Sequence, residues 1–205
     1  MHKFNVLMYH ELIKEKDLNK DEGSQINVKQ NYQDKLPRGL FVYLKEFKKQ
    51  MNYLYQAGYK TLKLQDIIDF YYQKKSYSPL ESRCLSKNEL KSMKDVFEYA
   101  NHSAGLHKRN NNLTDLEKVG KKEFIDDTRK CEKYIDSKNV YAFPFGKYTE
   151  NTIENLKELN YKLAFTTTPG ANNINTYPLE LKRNAVLLNY QLKDFKKILT
   201  NQIKQ

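Results

Sequence analysis

The chain has 205 residues, 39% of them hydrophobic, and a formal net charge of +11 at pH 7. This length suits one substantial domain, residues 1–205, whose core the sixteen Tyr and ten Phe can help to fill. The basic residues alternate with acids and form no block, so we expect no nucleic-acid partner. No hydrophobic run approaches the ~18 residues of a membrane span, and we recognise no signal peptide. Cys84 and Cys131 have no metal or redox spacing, and we expect free thiols.

Hydrophobic periodicity predicts strands that alternate with helices along the chain. The expected strands cover residues 3–12, 59–64, 96–103, 140–146 and 161–168. The expected helices cover 40–58, 65–75, 86–93, most of 113–138, 149–160 and 194–205, and a polar loop covers 15–39. We expect Gly58 just after the first of these helices and Thr149 as the N-cap of the fifth. This alternation is typical of an α/β fold with a parallel sheet or barrel.

Polar residues follow three of the predicted strands. His10 ends the first strand, His102 ends another, and Pro144–Gly146 follow a third. In parallel α/β folds the residues after the strand ends build the functional site. His107 lies five residues after His102, a spacing that does not place the two on one helix face. A single histidine in such a place is more often an ordinary polar loop residue.

Four segments together resemble a known family. They are "VLMYHEL" at 6–12, "FEYANHSAGLHK" at 97–108, "YAFPFGKYTENTIENLKELNYKLAFTTTPG" at 141–170 and "LKRNAV" at 181–186. They are similar to the polysaccharide deacetylases, the carbohydrate esterases with the NodB-homology fold. The nearest branch is the circularly permuted one that de-N-acetylates the poly-N-acetylglucosamine of biofilms. The resemblance covers most of the chain and implies a NodB-type distorted (β/α) barrel.

The resemblance implies a metal-dependent amide hydrolysis. In the family two histidines and one aspartate hold a divalent metal, which we expect to be zinc, and the histidines match His102 and His107. A metal of this kind activates water and polarises the carbonyl. Ser103 would orient the loop between the histidines by hydrogen bonding, and Gly105 would let that loop turn.

The resemblance also assigns the groups around the metal. The turn of Pro144, Phe145 and Gly146 matches the family's Pro-aromatic-Gly motif, in which the backbone N–H of Phe145 would face the oxyanion. Arg183 would orient a carboxylate base, and a plain surface charge is the competing interpretation. His10 would be the general acid for the leaving amine, or a pocket-lining residue only.

One family motif has no match in the sequence. The strand that ends in an Asp-Asp pair supplies the family's catalytic base and its aspartate ligand. We expect it between residues 81 and 86, where the chain runs directly on, so a βαβ-sized segment is missing and the barrel is incomplete. Asp126-Asp127 is the only such pair, and its helical context favours a solvated surface. Asp34 and Glu11 are conceivable substitutes.

Three functions therefore stay open. The first is a hydrolase that de-N-acetylates a β-linked N-acetylglucosamine polysaccharide. The second is an inactive remnant or glycan-binding pseudoenzyme, in which metal binding is weak or absent because the third ligand is missing. The third is a polyanion-binding protein that acts through charge alone. We expect a monomer. The resemblance implies an extracellular or cell-surface protein, whereas the missing signal peptide leaves the cytoplasm open.

Overall fold

The computed structural model describes residues 3–17, 38–73, 98, 100–110, 113–133, 135 and 137–200. In this part of the chain the strands are β1 (Leu7–Met8), β2 (Glu11–Ile13), β3 (Phe41–Tyr43), β4 (Ala100–Asn101), β5 (Arg109–Asn110), β6 (Leu113–Thr114), β7 (Ser137–Ala142), β8 (Leu163–Phe165) and β9 (Asn184–Ala185). The helices are α1 (Leu44–Gln56), α2 (Leu64–Tyr72), α3 (Asp115–Lys118), α4 (Lys121–Cys131), α5 (Glu150–Glu158) and α6 (Leu192–Leu199).

Parallel pairing dominates the sheet. β7 lies between β4 and β8, with Val140 opposite Leu163, and Phe165 at the end of β8 forms a parallel bridge with Leu181. The segment that contains Leu181 continues into β9, which pairs in parallel with β1. A separate parallel pair is formed by β2 and β3. Among the strands named above only the short β5–β6 hairpin is antiparallel, and an isolated antiparallel bridge joins Phe4 to Asn172. The carboxyl ends of β4, β7 and β8 therefore lie at one edge of the sheet.

Helices cover the sheet and exclude water from it. One core cluster joins α4 and α5 to the sheet through side chains that include Phe124, Tyr141 and Leu156, each fully buried. A second joins α2 to β7 and β8, and a third joins α1 and α6 around Val186 and Phe195. Burial of aromatic and aliphatic area on this scale stabilises both the sheet and the strand ends that it positions.

The α/β class with parallel strands is confirmed, while several expected elements differ. The described residues show no closed barrel. The expected strand at 59–64 is reduced to a bridge at Thr61, and the expected helix start at residue 40 is wrong because 41–43 form β3. The helix expected within 113–138 breaks at Val119–Gly120. The break follows from the extended backbone of both residues, at ψ values of 137° and 158°.

Two terminal residues behave as expected. Gly58, just beyond α1, has φ of +74°, and the side chain of Thr149 accepts a hydrogen bond from the N–H of Thr152 at 3.2 Å. The helix expected at 86–93, Cys84 and the position of the missing Asp-Asp motif lie outside the described residues. Cys131 is a free thiol. No helix in the described ranges is long and apolar enough to cross a membrane.

Candidate functional site

His102 and His107 meet beside the sheet edge. His102 directly follows β4, and the chain returns after four residues, so the two Nε2 atoms lie 3.2 Å apart. The Nδ1 of His102 lies 2.6 Å from the carbonyl oxygen of Ala142 at the end of β7. When Nδ1 carries the proton and donates it to this carbonyl, Nε2 presents a lone pair toward His107.

The environment of His102 favours its neutral form. One side of the residue is open to solvent, but neighbouring groups desolvate the ring and lower its pKa from 6.5 to about 4. The positive charges of His107, Arg183 and His10 lower this pKa further, while the bond to Ala142 acts in the opposite direction. At neutral pH the imidazole is therefore uncharged, which is the form that binds metals.

The two histidines fit a shared metal ion. Zinc lies about 2.0 to 2.1 Å from histidine nitrogens, and two nitrogens 3.2 Å apart can both reach one ion at an angle of roughly 100°. The bond from His102 Nδ1 to a backbone carbonyl is the outer contact that metal-binding histidines usually make. Among the described residues no group of three or more His, Cys, Asp or Glu side chains could hold a metal. The pair therefore supplies two ligands and needs a further one.

Asp127 holds the loop between the histidines. Its Oδ2 accepts the backbone N–H of Ala104 at 2.9 Å, and its Oδ1 accepts that of Gly105 at 2.7 Å. Asp126, the first acid of the pair, is exposed and matches the expected solvated surface. Asp127 does not, because both of its oxygens bind the loop. Sequence reasoning missed the role of Asp127. The signal was its position on the helix that follows the histidine loop.

Asn101 fixes the start of the same loop. This buried residue donates through Nδ2 to the Tyr161 hydroxyl at 2.8 Å and to the Thr128 carbonyl at 3.1 Å. Its Oδ1 accepts the backbone N–H of Ser103 at 2.9 Å. An amide buried with its donor and acceptor both satisfied has one favoured orientation, so Asn101 fixes where His102 leaves the strand.

The expected roles of Ser103 and Gly105 are wrong in detail. Ser103 Oγ is buried without a hydrogen-bond partner in the described structure, so it does not orient the loop through its hydroxyl. The left-handed residue of the loop is Ser103 itself, with φ of +69°, whereas Gly105 has no positive φ. A Cβ at Gly105 would lie 3.4 Å from Asp127 Oδ1, an ordinary contact. The bonds to Asp127 and Asn101 orient the loop instead.

His10 and Arg183 lie close enough to His102 to act on it electrostatically. Burial lowers the pKa of Arg183 from 12.5 to about 10, and burial together with Arg183 lowers that of His10. The Nε of Arg183 donates to the carbonyl oxygen of Thr166 at 2.5 Å. Within the described ranges Arg183 makes no ion pair with a carboxylate, so the carboxylate that it would orient is not found there. Arg183 therefore supplies a positive charge beside His102 and His10.

The Pro144–Gly146 turn borders the histidines. Phe145 has a left-handed φ of +56°, and its ring lies 4.6 Å from that of His107 between centroids. Gly146 has φ of +68°, and a Cβ there would come within 2.0 Å of Thr167 Oγ1. The turn is closed by a bond from the Gly146 N–H to the Phe143 carbonyl at 2.9 Å. Glycine is thus required at 146 both by conformation and by space.

Solved structures with a similar fold are deacetylases. A polysaccharide deacetylase from Bacillus cereus matches with a TM-score of 0.65 and 20% identity, over 97% of this chain and 69% of that one. A de-N-acetylase from Aggregatibacter actinomycetemcomitans matches with a TM-score of 0.66 and 15% identity, over 97% and 100%. IcaB from Ammonifex degensii matches with a TM-score of 0.56 and 15% identity, over 78% and 89%.

Sequence comparison adds no relative. No family model matches the chain, and neither does any curated protein. The resemblance drawn from four short segments is nevertheless confirmed at the level of the fold, because structures that match 97% of the chain are a polysaccharide deacetylase and a de-N-acetylase. The chain has the fold of the polysaccharide deacetylases.

Proposed function

We propose that the chain is a metal-dependent polysaccharide de-N-acetylase, a hydrolase of carbon–nitrogen bonds, whose centre is His102 and His107. The observation that carries this proposal is the 3.2 Å approach of their Nε2 atoms beside the strand ends. The fold of the chain supports it, since solved structures with this fold are deacetylases. We treat residues 1–205 as one domain and the sheet as an incomplete NodB-type barrel.

Each residue of the site has a role in this proposal. A divalent metal, with zinc as the candidate, would supply Lewis acidity and a lowered pKa for water when bound by the two histidines. The turn at Phe145 offers its backbone N–H to the developing oxyanion, and Pro144 and Gly146 fix its conformation. His10 would give a proton to the leaving amine, a role that the resemblance assigns to it.

The remaining ligand is a carboxylate that the described residues do not supply. Arg183 beside His102 is a positive group suited to hold it. Asp34 lies outside the described residues, and only the backbone of Glu11 is described. Both residues therefore remain candidates for the carboxylate ligand. Replacing each with its amide identifies the ligand, because the correct replacement lowers metal affinity and the other does not.

The substrate in this proposal is a polymer of β-linked N-acetylglucosamine. We take this substrate from the resemblance to the branch that de-N-acetylates the poly-N-acetylglucosamine of biofilms. From the same resemblance we infer that the proposed activity takes place outside the cell or at its surface. The lack of a third ligand among the described residues favours one second candidate, a glycan-binding pseudoenzyme without turnover.

Metal content and acetate release test the proposal together. Purified chain is loaded with zinc, dialysed and analysed beside His102→Ala and His107→Ala, with Tyr59→Ala, at an exposed position just after α1, as a control. We expect one zinc per chain, lost in both histidine variants, and release of acetate from N-acetylglucosamine oligomers. Bound zinc without acetate release supports the pseudoenzyme, and absence of stoichiometric zinc contradicts the proposed centre.

A further inference from the structure

A second surface of the chain carries exposed aromatic side chains. Tyr72 is 50% exposed and Tyr177 is 41% exposed, and the two are close enough to interact electrostatically. Beside Tyr177 lies an open depression of about 360 Å³. Its lining comprises Asn173, Asn175, Thr176, Tyr177, Glu180 and Lys182.

This surface lies toward the opposite edge of the sheet from the histidines. Leu181 runs parallel to Phe165, so residues before Leu181 lead toward the amino end of β8. The Tyr72 hydroxyl donates to the carbonyl oxygen of Lys162, which directly precedes β8, at 2.9 Å. His102, in contrast, follows β4 at the carboxyl edge. A ligand on the tyrosines would therefore not occupy the histidine site.

The depression is held in shape without a ligand. The Tyr71 hydroxyl donates to the Asn173 carbonyl at 2.8 Å, and the N–H of Asn173 donates to Thr176 Oγ1 at 3.0 Å. Glu180 accepts from the Tyr148 hydroxyl at 2.8 Å. Binding at such a surface costs little conformational entropy because few side chains need to be ordered.

The chemistry of the surface suits a neutral saccharide. Aromatic faces pack against the C–H groups of a sugar ring, and amide and hydroxyl side chains pair with its hydroxyls. Of the nearby lysines, Lys157 pairs with Glu154 at 2.7 Å and lies over Tyr177, and Lys162 lies over Tyr72. The lining itself contains one lysine and one acid, Lys182 and Glu180. Their charge is thus partly compensated, which disfavours a polyanion as the ligand.

We propose that Tyr72, Tyr177 and the adjoining depression bind a saccharide unit of an acetylated glycan, at a place separate from the histidine centre. The inference takes its ligand class from the proposed function, but its geometry does not depend on that function. A polymer held at this surface would stay with the protein while another of its residues reaches His102. Affinity would then grow with chain length through raised effective concentration.

The test uses a chain in which the histidine centre is disabled. His102→Ala/His107→Ala protein, kept in chelator, is titrated by calorimetry with a hexamer of β-linked N-acetylglucosamine. We expect binding to persist and to weaken at least ten-fold when Tyr72→Ala and Tyr177→Ala are added. Tyr59→Ala is the matched control, because Tyr59 is also 41% exposed but follows α1. Far-ultraviolet circular dichroism checks that each variant is folded.

Other outcomes would overturn the inference. Hexamer affinity that is equal with and without the tyrosines refutes the site, as does loss of all binding when only the histidines are replaced. Binding of heparin that disappears in salt and is not displaced by the hexamer would mean a polyanion surface instead. Acetate release by zinc-loaded wild type is measured separately, so failure of the proposed function and failure of this surface give different results.

Discussion

The Oδ1 of Asp127 lies 2.7 Å from the backbone nitrogen of Gly105, so a helix acid holds the loop that carries the two histidines. Its other oxygen holds the neighbouring Ala104 N–H. A carboxylate that accepts hydrogen bonds from two adjacent backbone N–H groups restricts both the distance and the direction of the loop relative to α4. The approach of His102 to His107 thus depends on a residue that would not itself touch the metal.

Asp127→Ala should loosen the histidine loop. We expect a loss of about 1 to 3 kcal/mol in the free energy of unfolding, because two charge-assisted hydrogen bonds disappear. Zinc affinity should fall by about 10- to 100-fold, as it does when outer contacts of metal ligands are removed. Competition with a chromogenic chelator measures the affinity. Asp126→Ala, at an exposed neighbouring position, should change neither quantity, and equal effects in both variants would contradict the role of Asp127.

Gly146→Ala should strongly destabilise the Pro144–Gly146 turn. The new Cβ would lie 2.0 Å from Thr167 Oγ1 at a backbone φ of +68°, so strain and overlap together should cost about 2 to 5 kcal/mol. Denaturant unfolding measures this cost. Gly58→Ala provides the control for the backbone alone, because Gly58 has φ of +74° and no atom within 4 Å of its Cβ position. A similar cost at both positions would show that the overlap with Thr167 is unimportant.

Stability should depend on pH through Glu117. The backbone N–H and hydroxyl of Thr114 both donate to Glu117 Oε2, at 2.8 and 2.9 Å, and lower its pKa below the usual 4.5. Because the folded pKa lies below the unfolded one, this carboxylate contributes stability above the unfolded pKa. The contribution is lost as the pH falls through the folded pKa.

Glu117→Gln should therefore be less stable than wild type near neutral pH and approach it in acid. Urea unfolding at about pH 7 and about pH 3 measures the difference. Glu123→Gln serves as the control, because Glu123 is exposed in the first turn of α4 and its replacement removes the same charge. A difference in the free energy of unfolding between wild type and Glu117→Gln that grows in acid would contradict the lowered pKa of Glu117.

His10→Gln should separate metal binding from turnover. His10 acts on His102 through charge, and the proposed function makes it a proton donor and not a ligand. We expect unchanged zinc stoichiometry and a roughly 10²- to 10⁴-fold loss of turnover, the usual range for a general acid. Loss of zinc together with turnover would place His10 among the ligands.

Sequence reasoning succeeded where one local pattern determines the structure. The alternation of strands and helices predicted the parallel sheet, and the Thr149 signal placed the start of α5 correctly. In both cases neighbours in sequence decide the outcome, so a single chain is enough. The approach of His102 to His107 was expected from the family motif that the resemblance supplied, and the structure brings the two together.

The contacts that shape the site come from distant parts of the sequence. Asp127 reaches back to Gly105 across 22 positions, and Arg183 donates to Thr166 across 17. Neither acid of the Asp126-Asp127 pair has a local signature that distinguishes it from the other. The loop was expected to turn at Gly105, but its left-handed residue is Ser103, whose N–H is bound by Asn101.

The pairing of β1 with β9 affects the order in which the chain can fold. Leu7 lies beside Asn184, so β1 finds its partner only after β9, the last of the described strands, has been made. Until then β1 presents an unpaired backbone edge, which is a place for wrong association. Contacts of such long range also slow folding. The late pairing of β1 is therefore a step of folding that is open to wrong association.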